Sequence, residues 1–155
     1  MKRIMILFLF AGLFMQTRAQ DSAKHQIKAL MDGKHYVFEP TTTTSGKGRS
    51  IYVGTSSYFL EMAGDTLKVY LPYFGRAYSA SMNPSDAGYD FTSTDFTYEV
   101  SEGKKNTSIV SIKTKDRSYN TDFELTVYDD GTAYLRANSS DKQSVSYNGG
   151  VKVKQ

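Results

Sequence analysis

The chain has no cysteine and no tryptophan, and only two histidines and three prolines in 155 residues. Without cysteine there is no disulfide, no thiol nucleophile and no thiolate metal ligand. His25 and His35 are the only imidazole bases available to a nucleophilic serine. One falls on the outer side of an expected helix and the other at the start of an expected strand. No Gly-x-Ser-x-Gly elbow occurs, and no His-Glu-x-x-His pair. Gly46-Lys47-Gly48 is only a fragment of a phosphate loop, and Asp129-Asp130-Gly131 lacks the alternating oxygen ligands of a calcium loop. No cofactor and no metal is expected.

Also missing is any apolar run of the roughly 20 residues that span a bilayer. The longest, Ile4 to Met15, follows Lys2 and Arg3 and precedes Gln16-Thr17-Arg18-Ala19. A short positive start, an apolar stretch and small residues at Thr17 and Ala19 make a secretory signal peptide over residues 1–19, cleaved after Ala19. The expected product, residues 20–155, has the size of one domain and no membrane span. The leader removes Lys2, Arg3 and Arg18 from the 19 basic residues, leaving 16 against 16 acidic ones. A chain without net positive charge lacks the field that displaces phosphate counterions, so nucleic acid is not an expected partner.

What the sequence does have is β-formers in alternation. Asp21 to Met31 is the one helical stretch, with Ala23, Ile27, Leu30 and Met31 on one face, Ser22 as N-cap and Gly33 in the left-handed position after it. Beyond it the period falls to two. Ser57 to Ala63 and Thr66 to Leu71 form a hairpin about Gly64-Asp65, a type II′ turn. Leu60, Met62, Leu67, Val69, Leu71 and Tyr58 then share one face, while Glu61 meets Lys68 beside Phe59 and Tyr70 on the other. Ser118–Tyr128 and Thr132–Asn138 form a second hairpin. A two-residue loop would set Leu125 against Arg136. A three-residue loop with Gly131 left-handed pairs Leu125 with Leu135 and Glu124 with Arg136, and is preferred.

Further strands are expected at Lys34–Glu39, Arg49–Val53, Gly88–Thr92, Asp95–Ser101, Thr107–Lys115, Gln143–Tyr147 and Val151–Val153. The polar stretch Pro40 to Gly48 reads as an exposed loop. The class is mainly β: an antiparallel meander forming a curved sheet, a lipocalin-like barrel or a sandwich, with one N-terminal helix. An open interior would suit a small apolar ligand. A filled one points to a protein partner at an aromatic loop.

That loop is Tyr70-Leu71-Pro72-Tyr73-Phe74-Gly75-Arg76-Ala77-Tyr78. Tyr70, Tyr73, Phe74 and Tyr78 surround Arg76, with Tyr147 a candidate neighbour. Aromatic residues with arginine dominate binding surfaces. The same residues would also serve as a rigid corner closing the sheet, because Pro72 ends the ladder and Gly75 permits a bend. The 12 tyrosines allow a carbohydrate-binding platform as well. The alternative is a carboxylate-based hydrolase acting on glycans, with Asp86, Asp90, Asp95 and Glu99 as its only acidic cluster.

The leader ending in Ala19-Gln20, the hairpin from Tyr58 to Leu71, the Leu-Pro-Tyr-Phe-Gly-Arg segment, Gly131-Thr132-Ala133-Tyr134-Leu135 and Ser144-Val145-Ser146-Tyr147-Asn148-Gly149 together resemble the domain-of-unknown-function family DUF4251. The resemblance covers nearly all of residues 20–155. It implies a β-rich fold and export by a Gram-negative bacterium, to the periplasm or outer surface, and implies no reaction. The combined expectation is a non-catalytic binding or interaction domain of the bacterial envelope, its partner a small molecule, a glycan or an envelope protein.

Overall fold

The computed structural model describes residues 25–45, 48–54, 57–75, 88–104, 107–116 and 119–154. A helix, α1, covers 25–32. Ten strands follow: β1 (His35–Ser45), β2 (Ser50–Tyr52), β3 (Phe59–Ala63), β4 (Thr66–Leu71), β5 (Tyr89–Ser93), β6 (Phe96–Glu102), β7 (Ser108–Thr114), β8 (Thr121–Val127), β9 (Thr132–Ser139) and β10 (Lys142–Val153). All pair antiparallel in a single sheet of order β5-β4-β3-β1-β10-β9-β8-β7-β6, with β2 paired to β1 off this path. Among the described residues no helix is long and apolar enough to cross a membrane.

Both hairpins adopt the expected registers. Ala63 faces Thr66, Met62 faces Leu67 and Glu61 faces Lys68. Gly64 has φ 60° while Asp65 is not left-handed, as a type II′ turn requires. In the second hairpin Val127 faces Ala133, Leu125 faces Leu135 and Glu124 faces Arg136, and Gly131 has φ 82°. The Asp130 carboxylate accepts the Thr132 N–H at 2.9 Å and its hydroxyl at 2.6 Å. Those two bonds hold the carboxyl below its ordinary range.

Three local expectations need correction. The threonine run is not a loop: β1 continues through Pro40 to Ser45 and pairs with both β10 and β2. Pro40 sits where the register shifts, a place where its missing N–H does no harm. The β-branched threonines after it suit a strand, and Thr43 is buried. The last two expected strands are one, β10, which runs straight through Asn148-Gly149-Gly150. At the end of α1 the left-handed residue is Lys34 (φ 53°), not Gly33. The Lys34 carbonyl accepts the Gly64 N–H, so docking onto the β3–β4 turn sets its conformation.

The sheet curls into a half-barrel. Tyr89 and Phe91 of edge strand β5 lie 5.8 and 6.2 Å, ring to ring, from Phe123 of β8, although many strands separate β5 from β8 in the ladder. The two edges, β5 and β6, run in the same sense and are joined by only Thr94 and Asp95, so the chain leaves one edge and enters the other. Asp116 latches this crossing by accepting the Ser93 hydroxyl at 2.7 Å and the Thr94 N–H at 3.3 Å.

The concave side is filled. Tyr36, Phe38, Phe123 and Tyr147 are its largest buried side chains, each 1% exposed or less. Met31 is buried against this core, with Ile27 and Leu30 beside it. Tyr98 of β6 donates a 2.7 Å hydrogen bond to the Met31 carbonyl, fastening α1 to the sheet.

Candidate binding site

The aromatic segment after β4 divides rather than clusters. Tyr73 turns inward, 8% exposed, with its ring edge-on to Tyr89 at 6.1 Å. Phe74 turns outward, 49% exposed. Tyr147 is fully buried, and its hydroxyl donates to the Pro72 carbonyl at 2.8 Å. Burial drives the Tyr147 and Tyr89 hydroxyls well above the ordinary tyrosine range, each reinforced by nearby Tyr73. The Lys142 ammonium lies over the Tyr73 and Tyr89 rings and donates to the Gly88 carbonyl at 2.8 Å. This end of the molecule is therefore a packed corner. Arg76 and Tyr78 lie outside the described residues.

Tyr70 faces the other way. It is 42% exposed on the convex side of β4, 5.2 Å from the Tyr58 ring and 6.2 Å from Phe59. Tyr58, expected to join the inner face, instead leans outward onto Tyr70, because it precedes β3 and escapes the strand's alternation.

Beside this group lies a convex-face cleft of about 580 Å³. Its floor crosses three neighbouring strands: Phe59 and Glu61 of β3, Val37 and Glu39 of β1, Gly150 and Lys152 of β10. Tyr52, Gly54 and Tyr58 form its wall, at and after β2. Tyr52 is 65% exposed, and a methyl on Gly54 would meet its ring at about 3 Å, so the missing side chain leaves the ring room to lie along the loop. The charges on the floor are paired. Lys152 meets Glu39 at 2.5 Å, while Glu61 meets Lys154 at 2.7 Å and Lys68 at 4.0 Å. Such a surface offers aromatic faces and a row of hydrogen-bonding groups with little net charge.

Sequence reasoning named Tyr70 but missed Tyr52, Tyr58, Phe59, Glu39, Glu61 and Lys152. One signal was present. The derived register of the first hairpin put Phe59 and Tyr70 on the solvent face, and two aromatics on a wet face is an unusual placement.

Asp86 lies outside the described residues. Asp90 lines a second cleft, of about 330 Å³, at the rim, together with Asp116 and Asp141; Asp95 and Glu99 do not line it. Asp90, Asp95 and Glu99 are all exposed. Among the described residues no three acidic or histidine side chains are grouped so as to hold a metal ion.

A curled antiparallel half-barrel with a filled interior and a helix packed onto it is the class defined by this fold. The model of a domain of unknown function, DUF4251, matches residues 18–151, and the chain belongs to that family. A crystal structure of a DUF4251 family protein from Bacteroides eggerthii is similar, with a TM-score of 0.61 at 13% identity over 85% of this chain and 88% of that one. That likeness establishes the fold. No curated protein sequence matches the chain.

Proposed function

We propose that this protein is a non-catalytic binding domain of the bacterial envelope, and that it takes its ligand on the convex face, in the cleft between Tyr52, Glu39 and Phe59. The observation that carries the reading is the contrast between the two faces. The concave face is packed with Tyr36, Phe38, Phe123 and Tyr147. The convex face holds a concavity of ligand size bordered by the exposed Tyr52 ring and the half-buried Tyr58 and Phe59 rings. The envelope location follows from the leader-like residues 1–19: the protein matures at Gln20 after export.

The test is a backbone amide NMR titration of residues 20–155 with soluble glycans, peptides and fatty acids as probes. Shifts centred on Val37, Glu39, Phe59 and Lys152 are expected from at least one class. Shifts centred on Tyr73 and Lys142, or none from any class, overturn the site. Mass spectrometry of the protein from its own cells is expected to show the chain beginning at residue 20. An intact leader overturns the export reading.

A further inference from the structure

We infer that the convex cleft is built for a neutral glycan. This inference rests on that cleft being the binding site, and it comes from what the cleft offers and withholds. It offers ring faces. Tyr52 and Tyr58 stand in the wall and Phe59 in the floor, with Tyr70 packed at a tilt against Tyr58. An aromatic face is electron-rich, and the C–H groups on one face of a pyranose are its natural complement. Each ring also presents a flat apolar surface to a ligand whose edges are wet.

The cleft also offers hydrogen bonds that its own ion pairs leave unused. A carboxylate has about four acceptor positions and an ammonium three donors. Glu39 and Lys152 line the cleft and engage each other through one contact at 2.5 Å, which leaves the remaining positions to water or a ligand. Sugar hydroxyls donate and accept, and therefore match a mixed row of carboxylate and ammonium without disturbing it.

Charge is what the cleft withholds. Glu39 is balanced by Lys152, and Glu61 by Lys154 and Lys68. An acidic or basic ligand would find each charge it could answer already neutralised by a partner, and would gain less from it than from a lone charge. A fatty acyl chain would strip water from these ion pairs and give no hydrogen bond in return, a costly exchange. An extended peptide adding to the sheet needs a free strand edge. At the cleft β1 is paired with β10 on one side, and on the other with β3 up to Phe38 and with β2 from Thr42, so the open runs are only three residues each, Glu39 to Thr41 and the outer side of β2, shorter than the usual strand.

The experiment uses residues 20–155 on an array of immobilised neutral oligosaccharides, with an acidic polysaccharide, a β-strand peptide and a fatty acid as comparators. A neutral oligosaccharide is expected to bind, to shift the Glu39 and Phe59 amides, and to hold its affinity as salt rises to about 0.5 M. Tyr52→Ala is expected to weaken that binding about tenfold or more, as removal of a stacking anchor does, with the melting temperature unchanged. If neutral glycans leave the cleft unshifted while the peptide, the fatty acid or the acidic polysaccharide shifts it, the glycan inference fails and the binding site stands. If no probe shifts the cleft, both fail.

Discussion

The Tyr147 hydroxyl reaches the Pro72 carbonyl at 2.8 Å across 75 residues of sequence. Tyr147 lies in mid-β10 and Pro72 just beyond β4, and β3 and β1 separate those strands in the ladder. The bond is therefore a chord across the concave side, and it holds the corner in which Tyr73 packs. Replacing Tyr147 with Phe keeps the ring and deletes the donor, leaving the buried Pro72 carbonyl unanswered. Urea denaturation is expected to show a loss of about 1–3 kcal/mol with an unchanged slope. A loss of less than about 0.5 kcal/mol would mean that water satisfies this carbonyl. Ligand binding on the convex face should be unaffected, since the cleft does not include Tyr147.

Phe123 of β8 is the ring on which Tyr89 and Phe91 of β5 both rest. It thus joins two parts of the sheet that share no ladder. Phe123→Ala is expected to cost about 3–5 kcal/mol, as buried phenylalanine truncations do. Half-buried Phe91 should cost less when truncated. Thermal and chemical melts of the two variants would check the ranking, and the reverse order would mean that the half-barrel is not closed through Phe123.

Gly131 and Gly149 are needed for different reasons. Gly131 has φ 82°, so Gly131→Ala places a Cβ in the left-handed region at a cost of about 1–2 kcal/mol. Gly149 has ordinary φ, but a Cβ there would land on the Glu39 carbonyl oxygen and crowd the Pro40 Cα. Backbone cannot rotate out of the way as a side chain can. Gly149→Ala is expected to be the worse of the pair in a stability assay and to disturb the amide resonances of Glu39. Equal costs would show that β1 yields to β10.

Burial raises the hydroxyls of Tyr36, Tyr89 and Tyr147, and pushes that of Tyr98 up to about 12. The folded state thus keeps protons that the unfolded chain gives up near pH 10. The sign follows from linkage: this contribution to stability is complete below about pH 10 and is lost as pH climbs through 12 and beyond. Tyrosinate absorbance and circular dichroism followed together should show these four rings ionising as the strands melt. Complete tyrosine ionisation before any loss of β signal would contradict their burial.

Much of the local structure is legible in the sequence. The β3–β4 and β8–β9 registers were readable because each compares residues a few positions apart: Leu125 against Arg136 is a poor pair, Leu125 against Leu135 a good one. The threonine run was misread because polarity suggests a loop, whereas Thr43 is covered by strands from both sides. The break assumed at Gly149-Gly150 had a similar origin. Glycine pairs suggest a turn, and only the approach of the Glu39 carbonyl explains why a straight strand carries one there.

The candidate site was legible in its ingredients and not in its assembly. Tyr70 was named, yet its companions are Tyr58 and Phe59 rather than Tyr73 and Tyr147. Sequence proximity grouped Tyr70 with Tyr73, but the ladder ends at Leu71 and the next residues turn into the corner. Tyr52 and Lys152 come together only because β1 pairs with both β2 and β10.

Alternation of side chains and the chemistry of Gly64 and Gly131 are local properties, and by themselves they determined a β-rich chain with two defined hairpins. Ladder order decided everything else: which tyrosines are core and which line a surface, and that β5 comes round to pack on Phe123 of β8 across the curled sheet. Those outcomes depend on contacts between residues far apart in the chain. No pattern along the sequence encodes such contacts, because their energy exists only once distant strands lie side by side.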